Sequence, residues 1–170
     1  MAERDRPPDV RLVESAEGYA ASFRAALDRV ARERTYLLLL EAPSTDAVSA
    51  FILSVIQNDG VQILAVTSKD EVVGWCDIDR NRRPGLEHSG VLGMGLVPEY
   101  RGKGLGRALA ERAIRDARAK RIERIELEVF GSNTRAIRLY ERLGFAYEGV
   151  RRKARKLDGA YEDLIVMALL

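Results

Sequence analysis

Between Arg101 and Arg107 the chain reads RGKGLGR, three glycines and three basic side chains in seven residues, and a helix-like pattern follows at once. Gly102, Gly104 and Gly106 strip the backbone of side chains where a strand ends and a helix begins, so main-chain N–H groups can approach a ligand closely. The helix N-terminus adds about half a positive charge. Arg101, Lys103 and Arg107 add whole ones. A phosphate or pyrophosphate is the ligand such a loop suits. Two familiar phosphate loops fail on spacing. A Walker loop needs glycine, four residues, then Gly-Lys-Ser/Thr, but Val97 stands five residues before Gly102 and Gly104 follows Lys103. A dinucleotide fingerprint G-x-G-x-x-G would need glycine at Arg107 or Leu109.

Other chemistries are narrowed by what the chain lacks. Cys76 is the one cysteine and His88 the one histidine, which excludes an internal disulfide, a multi-cysteine zinc site and a histidine cluster. No metal is expected. The 170 residues suit one domain, and 46% hydrophobic with 32% charged residues is an ordinary globular composition. A formal net charge of +2 gives no global pull toward nucleic acid or an anionic membrane, so any basic site is local. No apolar run approaches the roughly 20 residues that span a bilayer, and the start MAERDRPPDV is charged where a signal peptide needs an apolar stretch. The cytoplasm is the expected compartment.

The elements that must position the loop can be read from periodicity. Residues 1–9, with Pro7 and Pro8, read as a flexible tail, and one domain is expected over 10–170. VRLVE is a short apolar segment, and Phe23, Leu27 and Val30 mark an amphipathic helix between Glu17 and Arg34. YLLLL reads as a short buried segment. A second helix runs from a cap at Ser44, Thr45 or Asp46 to a stop at Gly60. VQILAVT and VVGWCDID are paired strands around SKDE, and SGVLGMGLV is another strand, unusual for its three glycines. After the loop, Leu105, Leu109, Ala113 and Ala117 line the inward face of a helix. IERIELEVF alternates as a strand. Ala136, Leu139, Tyr140 and Leu143 then form a helix ending at Gly144, and Asp158-Gly159 turns a closing hairpin. The result is an α/β protein, a mixed sheet with helices packed on its faces.

Arg101-x-x-Gly104-x-Gly106 resembles the (Arg/Gln)-x-x-Gly-x-(Gly/Ala) signature of the GNAT superfamily of acyl-CoA-dependent N-acyltransferases. SNTRAIRLYERLGF, residues 132–145, resembles that superfamily's other hallmark, an Asn near a helix start followed by a Tyr and then Leu-Gly-Phe. The likeness extends from about Val61 to the C-terminus. The tail EGVRRKARKLDGAYEDLIVMALL resembles the branch that acetylates free amino acids, polyamines or the N-terminal residues of ribosomal proteins. The fold implied is a GNAT fold, a mostly antiparallel sheet with one splayed parallel strand pair and helices on both faces. A homodimer is compatible with the resemblance.

The resemblance implies acetyl-CoA as co-substrate and a primary amine as acceptor, with a small molecule such as a free amino acid expected. A protein N-terminus, or an acyl-CoA-binding sensor without turnover, is the alternative. The implied cofactor contacts are Gly95, Leu96 and Val97 on the splayed strand, Arg101, Gly102, Lys103, Gly104, Leu105, Gly106 and Arg107 on the loop, and Asn133. Tyr140 matches the acid that protonates the leaving thiolate, and a backbone N–H near Leu96 or Val97 the oxyanion donor. Where some members carry a glutamate base, this chain has Val91, which cannot take a proton. Glu87 and His88, at the strand entrance, are the candidate bases, acting through a water. Trp75 and Cys76 read as core, with a substrate-pocket role the alternative for Trp75, and the run from Arg151 to Lys156 reads as a solvated strand face or a surface that attracts an acidic substrate.

Overall fold

The computed structural model describes residues 9–170, so the tail expected over 1–9 lies outside the described residues apart from Asp9. Strand β1 (Val10–Glu14) leads through a single 3-10 turn into helix α1 (Ala20–Ala31). Helix α2 (Thr45–Gln57) is capped by Ser44, whose Oγ accepts the Ala47 N–H at 3.2 Å. Strands β2 (Val61–Thr67), β3 (Val72–Arg80) and β4 (Ser89–Leu96) follow, then helix α3 (Leu105–Ala119) and strand β5 (Arg124–Phe130). Helix α4 (Thr134–Arg142) precedes the hairpin of β6 (Ala146–Leu157) and β7 (Ala160–Leu169). Asp158 and Gly159 both have positive φ, 51° and 83°, as the two-residue turn requires.

The seven strands form one sheet in the order β1-β2-β3-β4-β5-β7-β6. Every pairing is antiparallel except β4 with β5, which is parallel. Side-chain parity assigns the two faces. Trp75 of β3 meets Phe23 of α1 edge-on, with ring centroids 5.4 Å apart. A Cβ on its neighbour Gly74 would instead lie 3.2 Å from Leu109 of α3. Helices α1 and α3 therefore cover opposite faces. The row expected to face inward on α3 does so: Leu105, Leu109, Ala113 and Ala117 are all fully buried.

One expectation is overturned. Tyr36–Leu40 is not a buried segment; it belongs to the irregular connection between α1 and α2, and Leu38 is 60% exposed. It joins no strand of the sheet. It turns instead to the mouth of a cavity, where Tyr36, Leu37, Leu38 and Leu39 form part of the wall.

Candidate active site

The parallel pair is short. Only Ser89, Gly90 and Val91 of β4 pair with β5, opposite Arg124, Ile125 and Glu126, although both strands run on for several residues. Beyond Val91 the two strands part, and the gap opens into a cavity of about 1020 Å³ lined by Gly93, Met94, Gly95 and Leu96 on one side and Glu128, Val129 and Phe130 on the other. Glycine at 93 and 95 is explained by β3, which pairs with β4 in an unbroken register from Gly74↔Leu96 to Arg80↔Gly90. A Cβ on Gly95 would lie 2.4 Å from the Trp75 ring, and one on Gly93 3.1 Å from an Asp77 carboxylate oxygen.

Backbone polarity in the gap follows from the ladder. The Val97 N–H donates to Val73 O at 3.0 Å, so it is committed to β3. Because successive N–H groups of an antiparallel strand point to alternate sides, the Leu96 N–H points away from β3, toward the gap.

At the gap's end stands the glycine loop. Gly102 and Gly104 have φ of 78° and 73°, a conformation in which L side chains are strained. Gly104 is the N-cap of α3, and no side chain caps that end, in contrast to Ser44 at α2 and Asn133 at α4. The first-turn N–H groups of a 15-residue helix thus face the cavity with their partial positive charge uncompensated. Anion binding is what this end can do. Arg107 and Arg135 line the same region, and the Arg135 guanidinium lies 3.3 Å from where a Gly102 Cβ would sit.

Arg101 acts differently from the free cation its sequence position suggested. Its Nε donates to Leu96 O at 2.9 Å, its Nη1 to Glu33 at 2.8 Å, its Nη2 pairs with the other Glu33 oxygen, and the guanidinium lies 4.6 Å from the Tyr36 ring centre. Glu33 lies just past the Arg32 C-cap of α1, so this pair clamps the α1–α2 connection onto the end of β4. Both side chains are mostly buried, 19% and 27% exposed. Glu33→Ala, which leaves a mostly buried guanidinium without its partner, is expected to destabilise the fold by about 1–3 kcal/mol in urea unfolding and to speed hydrogen exchange over residues 33–41.

Tyr140 is buried on the inward face of α4, lines the cavity and packs against Phe145 at 5.7 Å between ring centroids. Burial first, and then the nearby Cys76 and Asp77, push its phenol well above the usual tyrosine range, so the hydroxyl remains a proton donor at neutral pH. Asn133 also lines the cavity, and its Oδ1 accepts the Ala136 N–H at 3.2 Å, capping α4.

The structure thus gathers Gly95, Leu96, Arg101, Gly102, Gly104, Gly106, Arg107, Asn133 and Tyr140 around one cavity. Val97 and Leu105 point into the core, and Lys103 turns outward over the Tyr100 ring at 5.6 Å. Glu87 and His88 are not brought to the cavity. They precede Ser89, at the opposite end of β4 from Leu96, roughly 25 Å away along an extended strand. There the Glu87 carboxylate accepts the Gly85 N–H at 2.7 Å, and the His88 carbonyl accepts from Glu123 and Arg124. Sequence reasoning missed Asp77, Glu128 and Arg135 in the cavity wall. A signal for Asp77 was present: in VVGWCDID, alternation sets Trp75 and Asp77 on one face, away from Gly74, Cys76 and Ile78.

Residues 29–145 match the Acetyltransferase (GNAT) family. The chain is 33% identical over 110 residues to the L-amino acid N-acetyltransferase AaaT of Escherichia coli (strain K12), a match covering 64% of this chain and 68% of that protein. It is 38% identical over 84 residues to the [Ribosomal protein bS18]-alanine N-acetyltransferase of the same organism, covering 49% of this chain and 57% of that one. Among solved structures, a GNAT superfamily phosphinothricin acetyltransferase from Sinorhizobium meliloti in complex with AcCoA superposes with a TM-score of 0.88 at 18% identity, over 95% of this chain and 88% of the other. No helix among the described residues is long and apolar enough to cross a membrane.

Proposed function

The chain belongs to the GNAT acetyltransferase family and is an acyltransferase, and from that premise we propose that it moves the acetyl group of acetyl-CoA to the primary amine of a small molecule, a free amino acid or related metabolite. The observation that carries the reading is the continuity of the gap between β4 and β5 with the uncapped N-terminus of α3. A narrow slot between two backbones suits an extended amide-bearing arm, and the glycine loop at its end suits a pyrophosphate. An activated thioester is what acetyl-CoA supplies when bound.

This chain's own groups divide the remaining work. N–H groups of the Gly102–Arg107 loop, with Arg107 and Arg135, hold the phosphates. The Leu96 N–H, turned toward the gap, donates to the carbonyl oxygen on which negative charge develops. Tyr140 gives a proton to the departing thiolate. Trp75, Phe51 and the apolar Leu37–Leu39 stretch exclude water and wall the acceptor side. We place the reaction in the cytoplasm, as the sequence suggests. Edge strand β6 exposes Tyr147 and Val150, a surface on which a second copy could pair.

The likeness to AaaT favours a free amino acid, and the likeness to the ribosomal-protein enzyme favours a peptide N-terminus as the second reading. Release of CoA thiol with acetyl-CoA and single L-amino acids, set beside a short peptide beginning with alanine, separates them. Turnover with at least one free amino acid is expected. Turnover confined to the peptide would move the acceptor to a protein N-terminus.

A further inference from the structure

We propose that Asp77 is the general base of this reaction, the carboxylate that receives the acceptor's ammonium group and takes its proton. The proposal rests on the acetyltransferase reading above and answers what that reading leaves open, since Val91 cannot act as a base and Glu87 and His88 lie at the wrong end of β4.

An alkylammonium with a pKa near the 10.4 of lysine is almost wholly protonated at neutral pH, and only the free amine attacks a thioester. A proton acceptor beside the gap speeds the reaction, and a carboxylate can serve as one. Among the described residues two line the cavity, Asp77 and Glu128. Glu128 is ion-paired with Arg151 at the solvent side. Asp77 stands directly opposite Gly93 in the β3–β4 register, where the missing side chain leaves its carboxylate open toward the gap; a Cβ at 93 would lie 3.1 Å from its oxygen. Glycine there is thus a condition of access.

The surroundings of Asp77 suit the role. Burial first, then the charge of Asp79 on the same strand, push its carboxyl up from 3.8 to about 7, partly offset by the Gln62 amide across the β2–β3 pair. Cys76 lies on the opposite face of β3. Tyr140, Arg135 and Arg142 line the cavity from α4, Glu128 from β5, Tyr36 from the α1–α2 connection, and Arg101 and Arg107 from the glycine loop and the first turn of α3. Helices α1 and α2 present only apolar side chains to this cavity, Phe23, Leu27, Val48 and Phe51 among them. A base poised near the working pH transfers protons in both directions with little driving force lost.

The step balances. Asp77 takes one proton from R–NH3+, giving R–NH2 and a neutral carboxylic acid. The amine nitrogen forms a bond to the thioester carbon, the C–S bond breaks, and the sulfur leaves as thiolate, protonated by the Tyr140 hydroxyl. The nitrogen's surplus proton passes to solvent, which also restores Asp77 and Tyr140. The sum is acetyl-CoA plus R–NH3+ giving the N-acetyl amide, CoA-SH and one proton.

Asp77→Asn keeps the shape and removes the base. It is expected to fold: the native state holds a proton on Asp77 that the unfolded chain gives up between 3.8 and about 7, so the group's stabilising contribution is lost as pH rises through 7, and a neutral amide avoids that loss. In wild type, kcat/KM for the accepted amine should rise with pH through an acidic limb near 7. In Asp77→Asn that limb should vanish and kcat/KM at pH 7 fall by about 100-fold or more, while hydroxylamine, already unprotonated at neutral pH, should lose far less. Glu128→Gln should keep the limb. Persistence of the limb in Asp77→Asn, or its loss in Glu128→Gln alone, would overturn the proposal and leave acetyl transfer standing. Failure of wild type to release CoA with any amine, hydroxylamine included, would overturn the acetyltransferase reading and this proposal with it.

Discussion

Tyr140→Phe is expected to lower kcat by about 10²–10⁴-fold, the range for loss of a positioned general acid, with little change in acetyl-CoA affinity. The ring is 7% exposed and packed against Phe145, so phenylalanine keeps the packing and removes only the hydroxyl. That hydroxyl lines the cavity and is protonated at neutral pH, because burial and the neighbouring Cys76 and Asp77 oppose its ionisation. A thiolate leaving without a proton donor is the slow path. Steady-state CoA release gives kcat, and quenching of Trp75, which lines the cavity, gives the affinity. An unchanged kcat would remove Tyr140 from the chemistry.

Gly102→Ala together with Gly104→Ala is expected to weaken acetyl-CoA binding by about 10-fold to 100-fold. Both residues sit at φ above 70°, where a Cβ costs roughly 1–2 kcal/mol per residue, so the loop would relieve strain by rotating its N–H groups away from the anion. Gly102 has a second constraint, since its Cβ would press on the Arg135 guanidinium at 3.3 Å. In the helix behind the loop, Leu109, Ala110, Ala113 and Ala117 are fully buried. Calorimetric titration of both proteins with acetyl-CoA checks the loss, and a melting curve shows that α3 still folds.

Local signals carried most of the fold. The Asp158-Gly159 turn and the inward row of α3 each depend on neighbours within a few residues and stand where the pattern placed them, and of the three residues offered as a cap for α2 the first, Ser44, takes the role. The family resemblance read from Arg101-x-x-Gly104-x-Gly106 and from residues 132–145 holds as well. Long-range pairing is what stayed hidden. Arg101 looked like a free cation because its partner Glu33 is 68 residues away in the chain. The leucines of YLLLL looked like core because nothing local says that the run borders a cavity instead. Glu87 and His88 lay near the right strand in sequence but at its wrong end, a difference of direction that composition does not record. Asp77 was overlooked for a related reason: alternation sets it on the face of Trp75, but its place opposite Gly93 follows from the long-range register of β3 and β4.

Incubation of the protein with acetyl-CoA and L-amino acids, with free CoA and the acceptor's mass followed together, tests acetyl transfer most directly. Release of CoA in step with appearance of an acceptor heavier by one acetyl group, both suppressed in Tyr140→Phe, is the expected result. Acetyl-CoA left unconsumed with every primary amine offered would contradict it.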